Sequence, residues 1–586
     1  KDSAVYVEKN LRTNWGNNSF FTYIMLPKGY NIENMKARFP AFLDNHMAGQ
    51  YGAIQPSKGT KLDLQKLTDI HLHSHTDYEA EPNGDIKRVY IFSCIAFFIL
   101  LIACINYMNL STARAALRAR EIGIRKVVGA RKKELVIQFL SESLLLTWAA
   151  ILIAFGLLYI LLPWLNKISA QDLSVGILLK WQVLVPLFLS PFIVGTIAGI
   201  YPALFMSSFQ PVKTLKGLFK IRGGSISFRK VLVITQFAIS IILIITTMVV
   251  FQQLRFMQHT SLGYDKEHLV TLPYYSQLDN QYESFRNTLL QNSGIKDAGR
   301  SSRIPTGRLL DDMGASAPGA DSMVPVKAEI RYVATDYDFI PTYGIHMAAG
   351  RNFSREYGTD TSGFIINEAA VKAIGWKSAE QAVGKNFTYG GINGKIIGVM
   401  HDFHFESLHQ EIKPLILIMP STAPGQSFYN NLTVKIAGDN IPAALAALKS
   451  TWQKYLPDLP YQYTFLDEKF SKLYEAEQRQ GTIFTAFAAI AIFIACLGLL
   501  GLSAFTISQR IKEIGIRKVL GADVSTIVTL LSKDFLKPVG VAAIVALPVA
   551  WYFMHKWLQD FAYRISMPWW IFIAAGIIAA LIALLT

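Results

Sequence analysis

Three short clusters hold the side chains best able to do chemistry. His71, His73 and His75 alternate, so on a strand they would share one face. His401, Asp402 and His404 stand together, and the run 389–395 (Tyr-Gly-Gly-Ile-Asn-Gly-Lys) is a glycine-rich stretch ending in lysine. Imidazoles bind zinc, and a glycine-rich loop before a lysine cradles phosphate. Neither chemistry is completed. No cysteine or carboxylate set joins either histidine cluster at a recognised metal spacing. Ile396 stands where a phosphate loop needs a hydroxyl, so the glycine run is expected to be a hairpin turn. The sequence has no Walker motif, no Gly-x-Ser-x-Gly and no His-Glu-x-x-His. The histidines are expected to be structural, this chain is expected to bind no metal or cofactor, and an enzyme is the least favoured class.

The composition points to a membrane instead. The chain has 586 residues, 51% of them hydrophobic and only 17% charged, with a net charge of +15. The mean hydropathy is +0.29. These values exclude a disordered chain and disfavour an ordinary soluble enzyme. The apolar residues gather into seven runs, at 89–110, 144–165, 181–206, 231–251, 483–505, 539–557 and 569–585. A spanning helix needs roughly twenty such residues, so an α-helical polytopic membrane protein is expected. Cys94, Cys104 and Cys496 all fall inside these runs, which leaves no disulfide framework elsewhere.

The charge assigns the sides. Residues 112–142 carry eight basic and three acidic side chains, 207–230 six basic and none acidic, and 506–534 five basic and three acidic. The positive-inside rule places these three segments in the cytoplasm. Residues 1–88 and 252–480 then lie outside, and all seven crossings alternate without conflict. The basic loops lack interleaved aromatics, so nucleic acid is not an expected partner. Lys1 is not a start methionine, and a membrane helix is expected upstream to deliver the first outside segment.

An internal repeat marks the most specific feature. Glu-Ile-Gly-Ile-Arg-Lys-Val-Val-Gly-Ala at 121–130 recurs as Glu-Ile-Gly-Ile-Arg-Lys-Val-Leu-Gly-Ala at 513–522, an offset of 392. The same offset superposes Cys104 on Cys496, Leu110 on Leu502 and Arg118 on Arg510, so two copies of one module are present. Each decamer follows an inward-running helix. Ile124, Val127 and Val128 share a helical face, as do Ile516, Val519 and Leu520. Glu121 with Arg125, and Glu513 with Arg517, are acid-before-base pairs at i,i+4, and Gly129 and Gly521 are stop signals. A short amphipathic element at the inner membrane face is expected twice. Contact with anionic lipid would explain its charge; a protein partner would explain its near identity.

The repeated EIGIRKVxGA resembles the FtsX-like permeases of MacB-type (type VII) ABC transporters. The segments LTDIHLHSHTDYE, IACINYMNLSTARA, GRNFS, IINEAAVKAIGW and GVMHDFHFESLH extend the resemblance along the chain. Its overall pattern resembles the double-length, fused form known chiefly from Bacteroidetes-type bacteria. The resemblance implies two tandem permease modules with α+β extracytoplasmic domains. Residues 1–88 would be the remainder of the first such domain, and 89–206 a three-helix module with a coupling helix at 121–130. Residues 207–230 would be a cytoplasmic linker, 231–251 a membrane helix, and 252–480 a MacB-like core domain on helical stalks. Residues 483–586 would be the second three-helix module, with its coupling helix at 513–522.

The implied function is the permease subunit of an exporter in the bacterial inner membrane, driven by a separate cytoplasmic ATPase that carries ATP and Mg and binds as two copies per chain. Glu121, Gly123, Ile124, Arg125, Lys126 and Gly129 would dock one copy. Glu513, Gly515, Ile516, Arg517, Lys518 and Gly521 would dock the other. The implied substrate is an amphiphile: an antimicrobial peptide, drug, lipid or lipoprotein. Membrane lipids, a periplasmic adaptor and an outer-membrane channel are further implied partners. The alternative is a non-transporting mechanotransmitter that regulates a peptidoglycan hydrolase.

Overall fold

A computed structural model describes residues 21–47, 55–74, 76, 83–169, 172–208, 223–319, 321–420 and 428–585. The chain forms two compact units, residues 1–100 and 101–586. In the first, helices α1 (Ile32–Lys36), α2 (Phe39–Met47), α3 (Pro56–Gly59) and α4 (Leu67–His73) are short. Asn31 caps α1 by accepting the Glu33 N–H, and Asp44 ties α2 to α3 by accepting from the Ser57 N–H and hydroxyl. The alternating histidines do not share one strand face. His71 and His73 lie on α4, where a two-residue step turns them to different faces, and His75 lies outside the described residues.

Helix α5 (Ile86–Val127) runs on into the second unit, followed by α6 (Lys132–Ser169), α7 (Trp181–Ser207) and α8 (Gly223–His259). Of the expected linker 207–230, residues 209–222 lie outside the described residues. Gly195 and Gly199 let α7 approach α6 closely: a Cβ on Gly199 would lie 2.6 Å from the Ser143 hydroxyl oxygen. Helix α8 is the most enclosed, with Phe237, Ile241, Ile245 and Val249, four residues apart, all inaccessible. Among the described residues six helices are long and apolar enough to cross a membrane. The seventh run forms a shorter apolar helix of 17 residues, Trp569–Leu585.

Between α8 and the next membrane helix lies a two-part sheet domain. Its strands are β1 (Leu269–Pro273), β2 (Ile295–Ser301), β3 (Ala315–Pro318), β4 (Met323–Pro325), β5 (Arg331–Ala334), β6 (Met347–Gly350), β7 (Gly363–Asn367), β8 (Asn386–Tyr389), β9 (Ile392–Met400), β10 (Leu415–Ile418), β11 (Asn431–Ile436) and β12 (Thr464–Phe465). One sheet has four strands in the order β12-β1-β11-β2, packed under α9 (Tyr282–Leu290) and the helix 441–455 around Trp452. The other has eight strands, in the order β4-β3-β8-β9-β7-β10-β5 with β6 on β9. It mixes parallel pairs (β7–β9, β5–β10) with antiparallel ones, as an α+β domain does. Short helices α11 (Glu368–Ile374) and α12 (Ala379–Ala382) pack on this part, whereas α10 (Phe339–Tyr343) packs on β2 and β11 of the smaller sheet; the helix 441–455 is α13 (Ile441–Tyr455).

Leu432, Val434 and Ile436 are buried on β11. The alternation at 326–332 becomes strand only from Arg331, where β10 supplies a partner at Leu415. The glycine run is the expected hairpin: Gly390 and Gly391, at φ 56° and 81°, join β8 to β9 with Tyr389 facing Ile392.

Helix α14 (Leu466–Leu473) leads towards α15 (Glu475–Val519), and this helical stalk is interrupted at Tyr474, at φ −113° and ψ 12°. The Tyr474 ring is buried and its hydroxyl accepts the Leu408 N–H at 2.9 Å, so tertiary packing overrides local helix propensity. Helices α16 (Val524–Leu558) and α17 (Trp569–Leu585) complete the chain.

Candidate coupling site

Each repeated decamer is the last turns of a long helix, not a separate short element. Nothing in the sequence breaks α5 or α15 between the apolar run and the decamer, so the helices continue for 42 and 45 residues. The i,i+4 pairs form in both copies at 2.8 Å, Glu121 with Arg125 and Glu513 with Arg517. Both helices end in the same cap. Gly129 and Gly521 adopt φ 109° and 90°, a region that strains any side chain. Ala130 N–H donates to Arg125 O, and Ala522 N–H to Arg517 O, each at 2.9 Å. Gly129 N–H donates to Lys126 O, and Gly521 N–H to Lys518 O, each at 3.2 Å. This double bond pattern is a Schellman motif, and it turns the chain directly into α6 or α16.

The surroundings of the two copies differ. In the first, Arg118 bridges Glu121 at 3.3 Å and Glu142 of α6 at 2.8 Å. Arg125 also donates to Gln138 at 2.9 Å, and Lys126 Nζ to the Ser207 carbonyl at the end of α7 at 2.7 Å. Ile122 seats in a cluster with Leu135, Phe139, Ala203 and Met206, and Gly123 is buried beside it. Arg125 and Lys126 therefore brace the decamer against α6 and α7. The second copy is more exposed, Gly515 and Lys518 included. Gln138 corresponds by the 392 offset to Leu530, whose side chain cannot accept a hydrogen bond. What both copies share is an exposed apolar triplet. Val128 is 82% and Leu520 80% exposed, and Ile124, Val127, Ile516 and Val519 are exposed beside them.

A second junction, invisible in the sequence, joins the sheet domain to the helices. The segment 398–409 packs on the loop between α16 and α17. Tyr563 N–H donates to Leu408 O at 3.2 Å, and Ala562 N–H to His409 O at 3.3 Å. The His404 ring stands edge-on to Tyr563 at 4.4 Å, and His409 lies 4.6 Å from Phe561. Gln253, fully buried on α8, clamps the same loop: its amide donates to Tyr563 O at 3.0 Å and accepts from Ile565 N–H at 2.9 Å. His409 also lies 3.8 Å from Glu477 of α15. Burial holds the His404 imidazole below its ordinary value, which favours the neutral ring. His404 thus serves packing, while the exposed His401 lies 3.4 Å from Glu368 and Asp402 accepts from Ala369 N–H. Among the described residues no group of three metal-ligating side chains gathers. In the sequence Gln253 is one of two adjacent glutamines after the apolar run 231–251, which is too weak a signal to single it out.

The family of FtsX-like permease C-terminal domains matches residues 93–211 and 485–586, one match over each set of three helices. The chain carries two FtsX-like permease modules. The MacB-like periplasmic core domain matches residues 231–451, which takes in α8 and most of the sheet domain. The chain is 32% identical over 126 residues to an uncharacterized ABC transporter permease of Bacillus subtilis, YknZ, covering 22% of the chain and 31% of that protein. It is 31% identical over 180 residues to the macrolide export ATP-binding/permease protein MacB of Bradyrhizobium diazoefficiens, covering 28% of the chain and 26% of that protein. The permease thus spans about a third or less of the length of either curated relative. The crystal structure of the periplasmic region of MacB from Actinobacillus actinomycetemcomitans aligns over 36% of the chain and 94% of its own length, at 17% identity and a TM-score of 0.26. The chain is a membrane protein with an extracytoplasmic domain of MacB-like type, and both permease matches contain one decamer.

Proposed function

We propose that this chain is the permease subunit of an ABC exporter and that its two decamers dock on two copies of a separate cytoplasmic ATPase. The observation that carries the reading is the repeated apolar triplet at an identically capped helix end. A single contiguous apolar cluster on a cytoplasmic surface marks a protein contact, and two equivalent clusters suit a two-fold partner. Ile124, Val127 and Val128 are the contacts on one side, and Ile516, Val519 and Leu520 on the other. Arg125 and Lys126 hold the first triplet in place, whereas Arg517 and Lys518 are exposed enough to reach the ATPase itself.

ATP-driven closure of the ATPase pair pushes both helix ends. Because α5 and α15 are continuous, the push travels their length. It reaches the sheet domain through α15, through α8, and through the α16–α17 loop held by Gln253. The outcome is extrusion of an amphiphile from the outer leaflet or periplasm of the cytoplasmic membrane.

The test replaces Val128 and Leu520 with Asp, singly and together, in the full chain coexpressed with its ATPase. The double variant inserts and folds normally but no longer copurifies with the ATPase or stimulates it. Copurification and stimulation at the unsubstituted level would overturn the docking assignment.

A further inference from the structure

A groove of about 570 Å³ lies between α8 and α15, at the ends nearest the sheet domain and away from both decamers. That volume is within the range of small-molecule sites. From α8 it is lined by Phe251, Leu254, Arg255 and His259, positions that share one helical face. From α15 come Gln478, Thr482 and Thr485, again one face. Gly481 sets the depth, since a Cβ there would lie 3.1 Å from a Leu254 methyl. The threonine hydroxyls are already satisfied, donating to Gln478 O at 3.0 Å and Gly481 O at 2.8 Å.

The lining is graded. Phe251 is the last residue of the apolar run 231–251, and Arg255 and His259 follow about 6 and 12 Å further along the helix at 1.5 Å per residue. That advance carries them from the hydrocarbon boundary through the headgroup layer. No acidic side chain lines the groove, and Arg255 is exposed with no carboxylate in ion-pair reach among the described residues. A cation at headgroup depth above an apolar floor, with its charge unspent, is complementary to a molecule with an anionic head and an apolar tail.

We infer that the groove binds an anionic amphiphile, its tail along Phe251 and Leu254 and its head at Arg255. The inference rests on the membrane placement of α8 and α15, and it gives the exported class a charge. Two sources share this chemistry, a resident anionic lipid and the cargo itself.

The experiment uses the full chain purified in a non-ionic detergent. Native mass spectrometry reads retention of lysophosphatidylglycerol against lysophosphatidylcholine, with glycerol 3-phosphate as the tail-less competitor. The anionic lipid is retained about fivefold better, Arg255→Gln removes the preference, and Arg255→Lys keeps most of it. Equal retention of both lipids, or a preference unchanged in Arg255→Gln, overturns the site. Displacement by glycerol 3-phosphate at equal concentration overturns the amphiphile class. Addition of the ATPase and ATP then assigns the source, since release identifies cargo and retention a resident lipid, either of which the site accommodates. Binding requires no ATPase, so failure here leaves the docking reading standing, and failure to copurify leaves this site standing.

Discussion

Asn106 on α5 packs against Gly498 on α15, its own counterpart at the 392 offset. A Cβ added to Gly498 would collide with the Asn106 side-chain amide, whose nitrogen donates to the Ile494 carbonyl. One turn on, Leu110 fills the space left by Gly501, the counterpart of Asn109. The two modules therefore meet at a local two-fold axis, but the side chains across it are not equal. A residue in the first copy fills a gap in the second, which two identical copies could not do.

Exchange of the pair tests this directly. Gly498→Leu overpacks the crossing and costs about 1–3 kcal/mol, read as a lower unfolding temperature in detergent. Asn106→Gly combined with Gly498→Asn recovers most of the loss of the Gly498→Asn single variant. A double variant no more stable than that single variant would show that the two positions are not coupled.

Gln253→Leu removes both hydrogen bonds that hold the α16–α17 loop, leaving Tyr563 O and Ile565 N–H without these partners. The expected loss is about 2–3 kcal/mol of local stability. Protease cutting near 560–566 should accelerate, while ATPase copurification persists. Unchanged cutting would mean the loop is held elsewhere.

The same junction should weaken in acid. His404 has its pKa lowered by burial, so the folded state binds fewer protons than the unfolded state below the ordinary histidine value near 6.5. The junction is unaffected above that value and loses stability as pH falls from 6.5 through the lowered pKa. His409 lies 3.8 Å from Glu477 in the same junction, so His404→Phe is needed to isolate the His404 effect. Hydrogen exchange of Leu408–Tyr563 amides at pH 7.5 and 5.5 should show acid-enhanced opening that the substitution reduces.

Ala at Gly129 or Gly521 strains the helix cap at positive φ, although nothing lies near the added methyl. Each substitution should cost about 1 kcal/mol and misdirect the adjoining triplet. ATPase stimulation should fall more than chain abundance. Equal falls would indicate general destabilisation.

Much of this was legible because it is periodic. Apolar runs announce membrane helices, and the decamer with its terminal glycine prescribes both helix and cap. Helix α13 follows from Pro442 in its first turn and the breaker after Tyr455. The failures are residues whose conformation is decided by distant partners. His71 and His73 alternate like strand residues, yet both lie on α4. Residues 326–330 alternate too, but hydrogen bonding waits for β10. The bracing of Arg125 by Gln138 was hidden because helix periodicity predicts a face, not its neighbour. Gln253, Leu408 and Tyr563 are separated by more than 150 residues at each step, and no local pattern links them.

The break at Tyr474 gives the sheet domain two unlike supports. Helix α8 enters it as a single rod from Gly223 to His259, while α15 is joined to α14 through a bent, non-helical residue. A body held by one stiff strut and one articulated strut swings when the two slide past each other; it is not simply lifted. Sliding of α15 along α8 would thus be geared into rotation, and the pivot would be a single tyrosine.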